Sequence, residues 1–293
     1  MRSFIPGSGL PGGRAGVLVA LGVVLGAEAA IPCAAAAGDA MPSPAAAPSA
    51  AAPSAAASAP PAALPARSAS AILADALKAT GGDGPWKNHK SIETKTQIEY
   101  AKMAISGTRT QIVTSKNKSL AVTQIANVGE VKEGTNGRVV WSQDPVNGLR
   151  LLSGAEAAQF RVESTWNLER NMKKLFPRIA VKPDSDGGRA LECLELTPTA
   201  GRSMTNCYDP ESHLQVLQKG TAATPQGDVP FTSRIKSWKE TGGLKLPEVV
   251  EMVTGPVEFS ARLIDVVFDK PVDDKMFEVP GGAKGKSKPA VPR

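Results

Sequence analysis

The sequence from Leu191 to Tyr208, LECLELTPTAGRSMTNCY, contains two strand-like segments on either side of a turn-prone stretch. A hairpin that folds about Ala200 places Cys193 directly opposite Cys207. Directly paired residues of antiparallel strands have Cα atoms about 4.5–5.5 Å apart, a separation that a disulfide can bridge. The stretch therefore predicts a β-hairpin closed by a Cys193–Cys207 disulfide.

Two other roles are open to these cysteines. They can be free buried thiols, or they can join His89 and His213 in a zinc site. Zinc ligands usually come in closely spaced pairs, and no such pair occurs among these four residues. We therefore favour the disulfide and expect no metal site. Disulfides persist in oxidising compartments, which predicts an exported protein.

The N-terminus gives a second indication of export. Arginines precede a 12-residue apolar stretch, Ala15 to Gly26, which small residues follow. This order is typical of a secretory signal peptide, and we assign residues 1–33 to a cleaved signal region, with an uncleaved anchor as the alternative. Cys33 follows Pro32 rather than a small residue, which argues against a lipoprotein anchor. We expect a periplasmic or secreted protein that is not a transmembrane protein.

Composition divides the remaining chain into three parts. From Ala34 to Ala66 the sequence has 18 Ala, 7 Pro and 4 Ser among 33 residues, which predicts a disordered linker over residues 34–68. Residues 282–293 form a basic tail that we expect to be flexible. The intervening residues 69–281 have the length of one domain and carry 27 basic and 26 acidic side chains. This near-neutral balance excludes a basic nucleic-acid-binding surface of the usual kind.

Within the domain, hydrophobic periodicity predicts an α+β fold. Residues alternate between apolar and polar from Ile92 to Tyr100, and further short strand patterns continue as far as Phe268. Helical spacing interrupts them at Ala71–Thr80, after a capping-box pattern at Ser153-Gly154-Ala155-Glu156, and at Asn167–Phe176. About ten antiparallel strands cannot stay flat, so we predict a strongly curved sheet, a half-barrel, with helices covering its concave face.

Several segments resemble the bacterial lipoprotein-carrier superfamily, the Lol-like and outer-membrane lipoprotein-sorting-like proteins. They cover most of residues 69–280 in the order and spacing of that superfamily. The segments are Ala79-Thr80-Gly81-Gly82, Glu133-Gly134-Thr135-Asn136-Gly137, Val140-Trp141-Ser142, Trp166-Asn167, Tyr208-Asp209-Pro210-Glu211, Thr224 to Pro230, Leu244-Lys245-Leu246-Pro247 and Phe277-Glu278-Val279-Pro280.

The resemblance implies an exported, non-enzymatic carrier or binding protein that shelters a lipid or the acyl chain of a lipidated protein in an apolar cavity. It implies no cofactor, and envelope proteins are a further class of partner. Four aromatic residues are candidates for lining the cavity, although each can instead fill the core: Tyr100, Trp141, Phe160 and Trp166.

Two other functional classes are alternatives. The same fold can have its cavity filled by side chains and act as a structural or interaction module of the cell envelope. An enzyme is disfavoured because the chain has no Gly-x-Ser-x-Gly nucleophile motif, and Gly285-Lys286-Ser287 lacks the glycine and the following helix of a phosphate-binding loop. We expect no catalytic residues.

Overall fold

The computed structural model of the protein describes residues 65–224 and 227–282. The predicted signal region, Cys33, nearly all of the predicted linker and all but the first residue of the basic tail lie outside these residues. Four α-helices accompany the strands in the described part of the chain. Their bounds are α1 Ala69–Ala79, α2 Asp83–Asn88, α3 Gly154–Glu163 and α4 Leu168–Leu175.

Fourteen strands in the described ranges form one antiparallel sheet. Its strands are β1 Ser91–Tyr100, β2 Ile105–Thr114, β3 Ser119–Ile125, β4 Gly129–Thr135, β5 Val140–Asp144, β6 Gly148–Leu152, β7 Arg178–Val181, β8 Asp184–Asp186, β9 Arg189–Thr197, β10 Met204–Tyr208, β11 Gln215–Thr224, β12 Gly227–Thr241, β13 Leu244–Thr254 and β14 Val257–Phe268. The spatial order is β6-β5-β4-β3-β2-β1-β14-β13-β12-β11-β10-β9-β7, and β8 pairs with β9 beside this path. The predicted α+β fold class is confirmed.

The position of α3 shows how strongly the sheet curves. Phe160 of α3 packs with Val140 of β5, and Gln159 accepts a 3.0 Å hydrogen bond from the backbone N–H of Ala223 in β11. Seven strands separate β5 from β11, which in a flat sheet would place them about 38 Å apart. A ten-residue helix is only about 15 Å long. The sheet must therefore curl around α3, as expected for a half-barrel.

The side chains of each strand alternate between an inner face, which packs against the helices, and an outer face. The predicted disulfide is confirmed and lies on the outer face. Cys193 of β9 pairs directly with Cys207 of β10, with their Cα atoms 4.0 Å apart. Both cysteines are completely buried, beside Leu191 and Leu217.

Two short motifs behave differently. Asn136-Gly137, a common hairpin turn sequence, joins β4 to β5: Thr135 pairs with Val140, and the Asn136 side chain accepts hydrogen bonds from two following backbone N–H groups. The capping box at Ser153 is wrong. Ser153 makes no side-chain bond to α3, and the Glu156 carboxylate instead accepts a 2.7 Å hydrogen bond from Arg150 of β6.

Candidate functional site

The inner face has a polar region where α3 faces strands β2 to β5. The pairing registers place Arg109 of β2 directly opposite Thr123 of β3, and they place Glu133 of β4 one inner position further along, diagonal to Thr123. Gln111 occupies the next inner position of β2. All four residues are buried, with at most 6% of their surface exposed. A core of this kind is unusual, because charged residues are rarely buried unless they are paired.

Arg109 is the centre of this polar region. Its Nη1 donates a 3.1 Å hydrogen bond to Thr123 Oγ1 and lies 3.5 Å from Glu133 Oε2. Its Nε and Nη2 atoms have no hydrogen-bond partner among the described residues. Burial lowers the pKa of Arg109, and the nearby carboxylates of Glu133 and Glu163 oppose that shift. One edge of a buried guanidinium group is therefore left without a partner.

Helix α3 contributes Glu163 to the same region. Gln159, one turn earlier, donates a 3.1 Å hydrogen bond from its Nε2 to Glu163 Oε1. Burial raises the pKa of Glu163 to about 8, and the negative charge of Glu133 adds to the shift, whereas Gln159 and Arg109 oppose it. At neutral pH the Glu163 carboxyl group is consequently protonated and can donate a hydrogen bond.

A narrow pocket leads to this region from the edge of the helical cover. Trp86 of α2 and Trp166, in the link between α3 and α4, meet edge to face with ring centroids 4.8 Å apart. They line the pocket with Ile92 and other apolar residues, and the buried polar side chains of Gln111 and Glu163 are also part of its lining. The enclosed volume is about 20 Å³, which is room for a single water molecule.

Polar contacts hold the α3–α4 link over the pocket. The backbone N–H of Trp166 donates a 2.8 Å hydrogen bond to Asn117 in the β2–β3 turn. Asn167 donates to Asp83 of α2 at 3.3 Å, and Arg170 of α4 forms an ion pair with the same aspartate. Polar contacts at the surface therefore hold the link, and Trp166 beneath them packs on the apolar cluster of Trp86 and Ile92.

The four predicted lipid-cavity residues lie in different places. Trp166 lines the pocket, Phe160 packs between α3 and β5, and Tyr100 belongs to an apolar cluster of β1 and β11–β14, with its ring 5.4 Å from that of Phe259. Trp141 lies on the outer face, where its indole N–H donates a 3.0 Å hydrogen bond to the carbonyl of Phe277. The structure therefore does not bring the four residues together, and Trp141 faces away from the pocket.

The outer position of Trp141 explains a glycine in the sequence. Gly134 of β4 is the direct partner of Trp141, and a Cβ atom at this position would lie 2.6 Å from the indole ring. No other residue leaves room for the ring to lie across the strand. The Gly134–Trp141 pair and the Phe277 segment therefore form one structural unit.

Sequence reasoning missed the polar residues of the site, namely Arg109, Gln111, Glu133 and Glu163, and also Trp86. A signal was available for Arg109, because it shares its strand parity with the apolar Val113, which faces the pocket. Glu133 gives no such signal until its pairing across β3 is known. Charged residues are usually solvated, so the sequence pattern alone favoured an exposed position for both.

A second, wider groove of about 440 Å³ lies on the surface at the end of β1 and β2. Lys90, Lys116 and Asp274 line it, and its walls are open and polar. It therefore offers no shelter to an apolar ligand.

On the outer face, Asp184 lies within 4.8 Å of the Cys193 and Cys207 sulfurs, but both sulfurs are committed to the disulfide and neither is a thiolate ligand. None of the helices in the described ranges is both long and apolar enough to cross a membrane.

No family model and no curated protein matches the sequence. Solved structures do match. A LolA superfamily protein from Nitrosomonas europaea is 14% identical, with a TM-score of 0.50 over 73% of this chain and 98% of that chain. A DUF1329 family protein from Desulfovibrio piger is 9% identical, with a TM-score of 0.49 over 71% and 96% of the two chains. A putative outer membrane lipoprotein-sorting protein domain from Vibrio parahaemolyticus is 12% identical, with a TM-score of 0.47 over 71% and 94%.

Identities this low inform about the fold and not about the ligand. The match to the Nitrosomonas protein spans nearly all of that chain and confirms, at the level of the fold, the resemblance seen in the sequence. The described domain has the fold of that LolA superfamily protein.

Proposed function

We propose that the chain is an exported, non-enzymatic carrier or binding protein that shelters a lipid, or the acyl chain of a lipidated protein, against the inner face of its sheet. The observation that carries the proposal is the pocket under the Trp86–Trp166 pair. It is the place where the helical cover and the inner face leave a gap with apolar walls. Burying an acyl chain there would recover about 0.8 kcal/mol for each methylene removed from water.

The pocket has to open before it can hold such a ligand. Ligand pockets usually enclose about 300–1,000 Å³, far more than the about 20 Å³ present here. The movable element is the α3–α4 link, because polar contacts at Asn117 and Asp83 hold it in place. We propose that displacement of this link exposes the pocket, with Trp166 moving as part of it.

The small volume also favours a specific alternative. If the interior stays closed in solution, the domain is a structural or interaction module of the cell envelope, and its surface rather than its interior meets a partner. The two functions differ in whether a lipid is found inside the folded protein.

Native mass spectrometry separates the two functions. The mature protein is purified from its own envelope fraction without added detergent and measured before and after extraction with organic solvent. The carrier function predicts a native mass that exceeds the protein mass by that of a lipid, and loss of the excess on extraction. A native mass equal to that of the protein alone, both as purified and after incubation with extracted envelope lipids, would reject the carrier in favour of the module. The Arg234→Gln variant, in which only a surface ion pair is altered, serves as the control and should carry the same excess mass as the unaltered protein.

A further inference from the structure

The polar region beside the pocket bears on the chemistry of the ligand. An apolar cavity for acyl chains alone has no need of a buried arginine, two buried glutamates and a buried glutamine in its lining or next to it. Each of these groups is expensive to remove from water unless it is hydrogen-bonded. Arg109 Nε and Nη2 and Gln111 Oε1 lack a partner in the described part of the chain. Buried polar groups without a partner are few in folded proteins, so each one calls for a specific explanation.

The free donors of Arg109 have a defined geometry. Nε and Nη2 lie on one edge of the guanidinium group, which presents two parallel N–H bonds to a carboxylate. Another arginine of the chain makes such a bidentate contact: Arg234 Nε and Nη2 donate to the two carboxylate oxygens of Asp186 at 3.1 and 3.0 Å. On Arg109 the other side of the group, Nη1, is taken by Thr123 and Glu133. The equivalent edge of Arg109 is therefore buried and has no hydrogen-bond partner among the described residues.

From this arrangement, and resting on the proposed function, we infer that the interior recognises an acyl ligand by its carboxylate end, with the two oxygens held by the Nε–Nη2 edge of Arg109. The acyl chain would then run past Ile92 and the Trp86–Trp166 pair towards the surface. The pocket lining is compatible with this orientation, since it combines these apolar side chains with Gln111, the inner neighbour of Arg109 on β2.

The neighbouring carboxyl groups are compatible with an anionic ligand. Glu133, at 3.5 Å, is the closest counter-charge of Arg109. Glu163 borders the pocket, and burial keeps it protonated at neutral pH, so that it adds a donor rather than a second negative charge. Arg109 lies one inner position beyond Gln111 on β2, so the carboxylate reaches it only when α3 and its link to α4 move aside.

The test uses the delipidated mature protein and three probes with the same chain length: palmitate, methyl palmitate and hexadecanol, each below its aggregation concentration. We expect palmitate to bind at least about 10-fold more tightly than either neutral probe, which corresponds to one lost charge-assisted contact of about 1.4 kcal/mol. The ¹³C chemical shift of the labelled carboxyl carbon should also show that bound palmitate stays ionised between pH 5 and 8.

Variants assign the preference to Arg109. The double substitution Arg109→Gln with Glu133→Gln removes both charges together and leaves no unpaired ion in the core. We expect it to abolish the preference for palmitate, whereas Arg234→Gln, which alters the matched fork at the surface, should keep it. Because the double variant can fail to fold, the Nε–H resonance of Arg109 in the unaltered protein gives an independent readout. It should shift with palmitate and not with methyl palmitate.

The outcomes separate this inference from the proposed function. Equal binding of all three probes, or a preference that survives the double substitution, would overturn carboxylate recognition and leave the acyl carrier intact. Failure of every probe to bind would overturn both. An Arg109 resonance that does not move when palmitate binds would show that the carboxylate does not contact this edge, and would overturn carboxylate recognition.

Discussion

Two regions of the same inner face lie under helices and have opposite compositions. Strands β9 and β10 are covered by α1 and α4, and their contact consists of apolar side chains such as Leu73, Met172, Leu194 and Leu196. Strands β2 to β5 lie under α3 and hold Arg109 with its neighbouring glutamates. We call the first the scaffold region and the second the ligand region.

The difference between the two regions is informative because burying charged groups costs folding free energy. Replacing a buried ion pair by well-packed apolar residues is often neutral or stabilising by about 1–4 kcal/mol, so stability alone does not favour the arrangement in the ligand region. The scaffold region shows that this fold can cover its strands with apolar contacts. The polar groups of the ligand region are therefore better explained by binding than by folding.

The largest expected effect is that of Arg109→Ala. It leaves Glu133 buried without its counter-charge, and breaking a buried pair in this way destabilises a protein by about 3–5 kcal/mol. Urea denaturation measures the change. The double variant with Glu133→Gln should recover most of the loss, because it removes the unpaired charge. Equal destabilisation in the single and double variants would mean that the two residues are not coupled, and would remove the basis for the ligand region.

The disulfide tests whether the scaffold region is independent of ligand binding. A Cys193–Cys207 bond closes a loop of about 15 residues, for which chain entropy gives about 3 kcal/mol of stability. We expect Cys193→Ala with Cys207→Ala to lower the free energy of unfolding by about this amount and to leave acyl binding to the folded protein unchanged. A large loss of affinity in the folded double variant would show that the two regions are coupled.

A pH-dependent effect is expected at Glu163, which has Gln159 of its own helix, Arg109 of β2 and Glu133 of β4 as its polar and charged neighbours. Its folded-state pKa of about 8 exceeds the ordinary value of 4.5, so between these pH values the folded state holds a proton that the unfolded state has lost. The contribution of Glu163 to stability therefore falls as pH rises from about 5 to 8, by at most about 1.4 kcal/mol per pH unit.

Glu163→Gln removes this titration. The variant should gain stability relative to the unaltered protein as pH rises through that interval, as measured by urea denaturation at pH 5, 6, 7 and 8. A difference in unfolding free energy that stays constant over the interval would show that Glu163 is not the buried, proton-holding group described above.

The sequence allowed the local features and the architecture to be predicted. The alternation in β1 and the symmetry of the Cys193–Cys207 hairpin are properties of short segments, so no tertiary information was needed for them. The curvature followed from the number of strands. The location of α2 and β6 was missed because both are short, with six and five residues.

The face of each strand could not be predicted in the same way. In Val140-Trp141-Ser142 the central residue lies on the other face of the sheet from its two neighbours. The sequence pattern is compatible with an aromatic core residue on either face. Only the Gly134 partner and the Phe277 carbonyl reveal that Trp141 is on the outer face. The approach of Glu133 to Arg109 likewise depends on the β2–β3 and β3–β4 registers together, a relation between three strands that no single segment records.

The most direct test of the account compares two tryptophans that the sequence placed in one cavity and the structure separates. Both Trp166→Ala and Trp141→Ala are titrated with an acyl lipid, followed by the emission of the remaining tryptophans, and both are unfolded in urea. We predict that Trp166→Ala weakens saturable acyl binding more than it weakens folding. Trp141→Ala should lower stability by about 3–5 kcal/mol, with the affinity of the folded protein unchanged. If no lipid changes the emission of the unaltered protein, or if Trp166→Ala only unfolds it, the pocket is part of the core and the carrier function is contradicted.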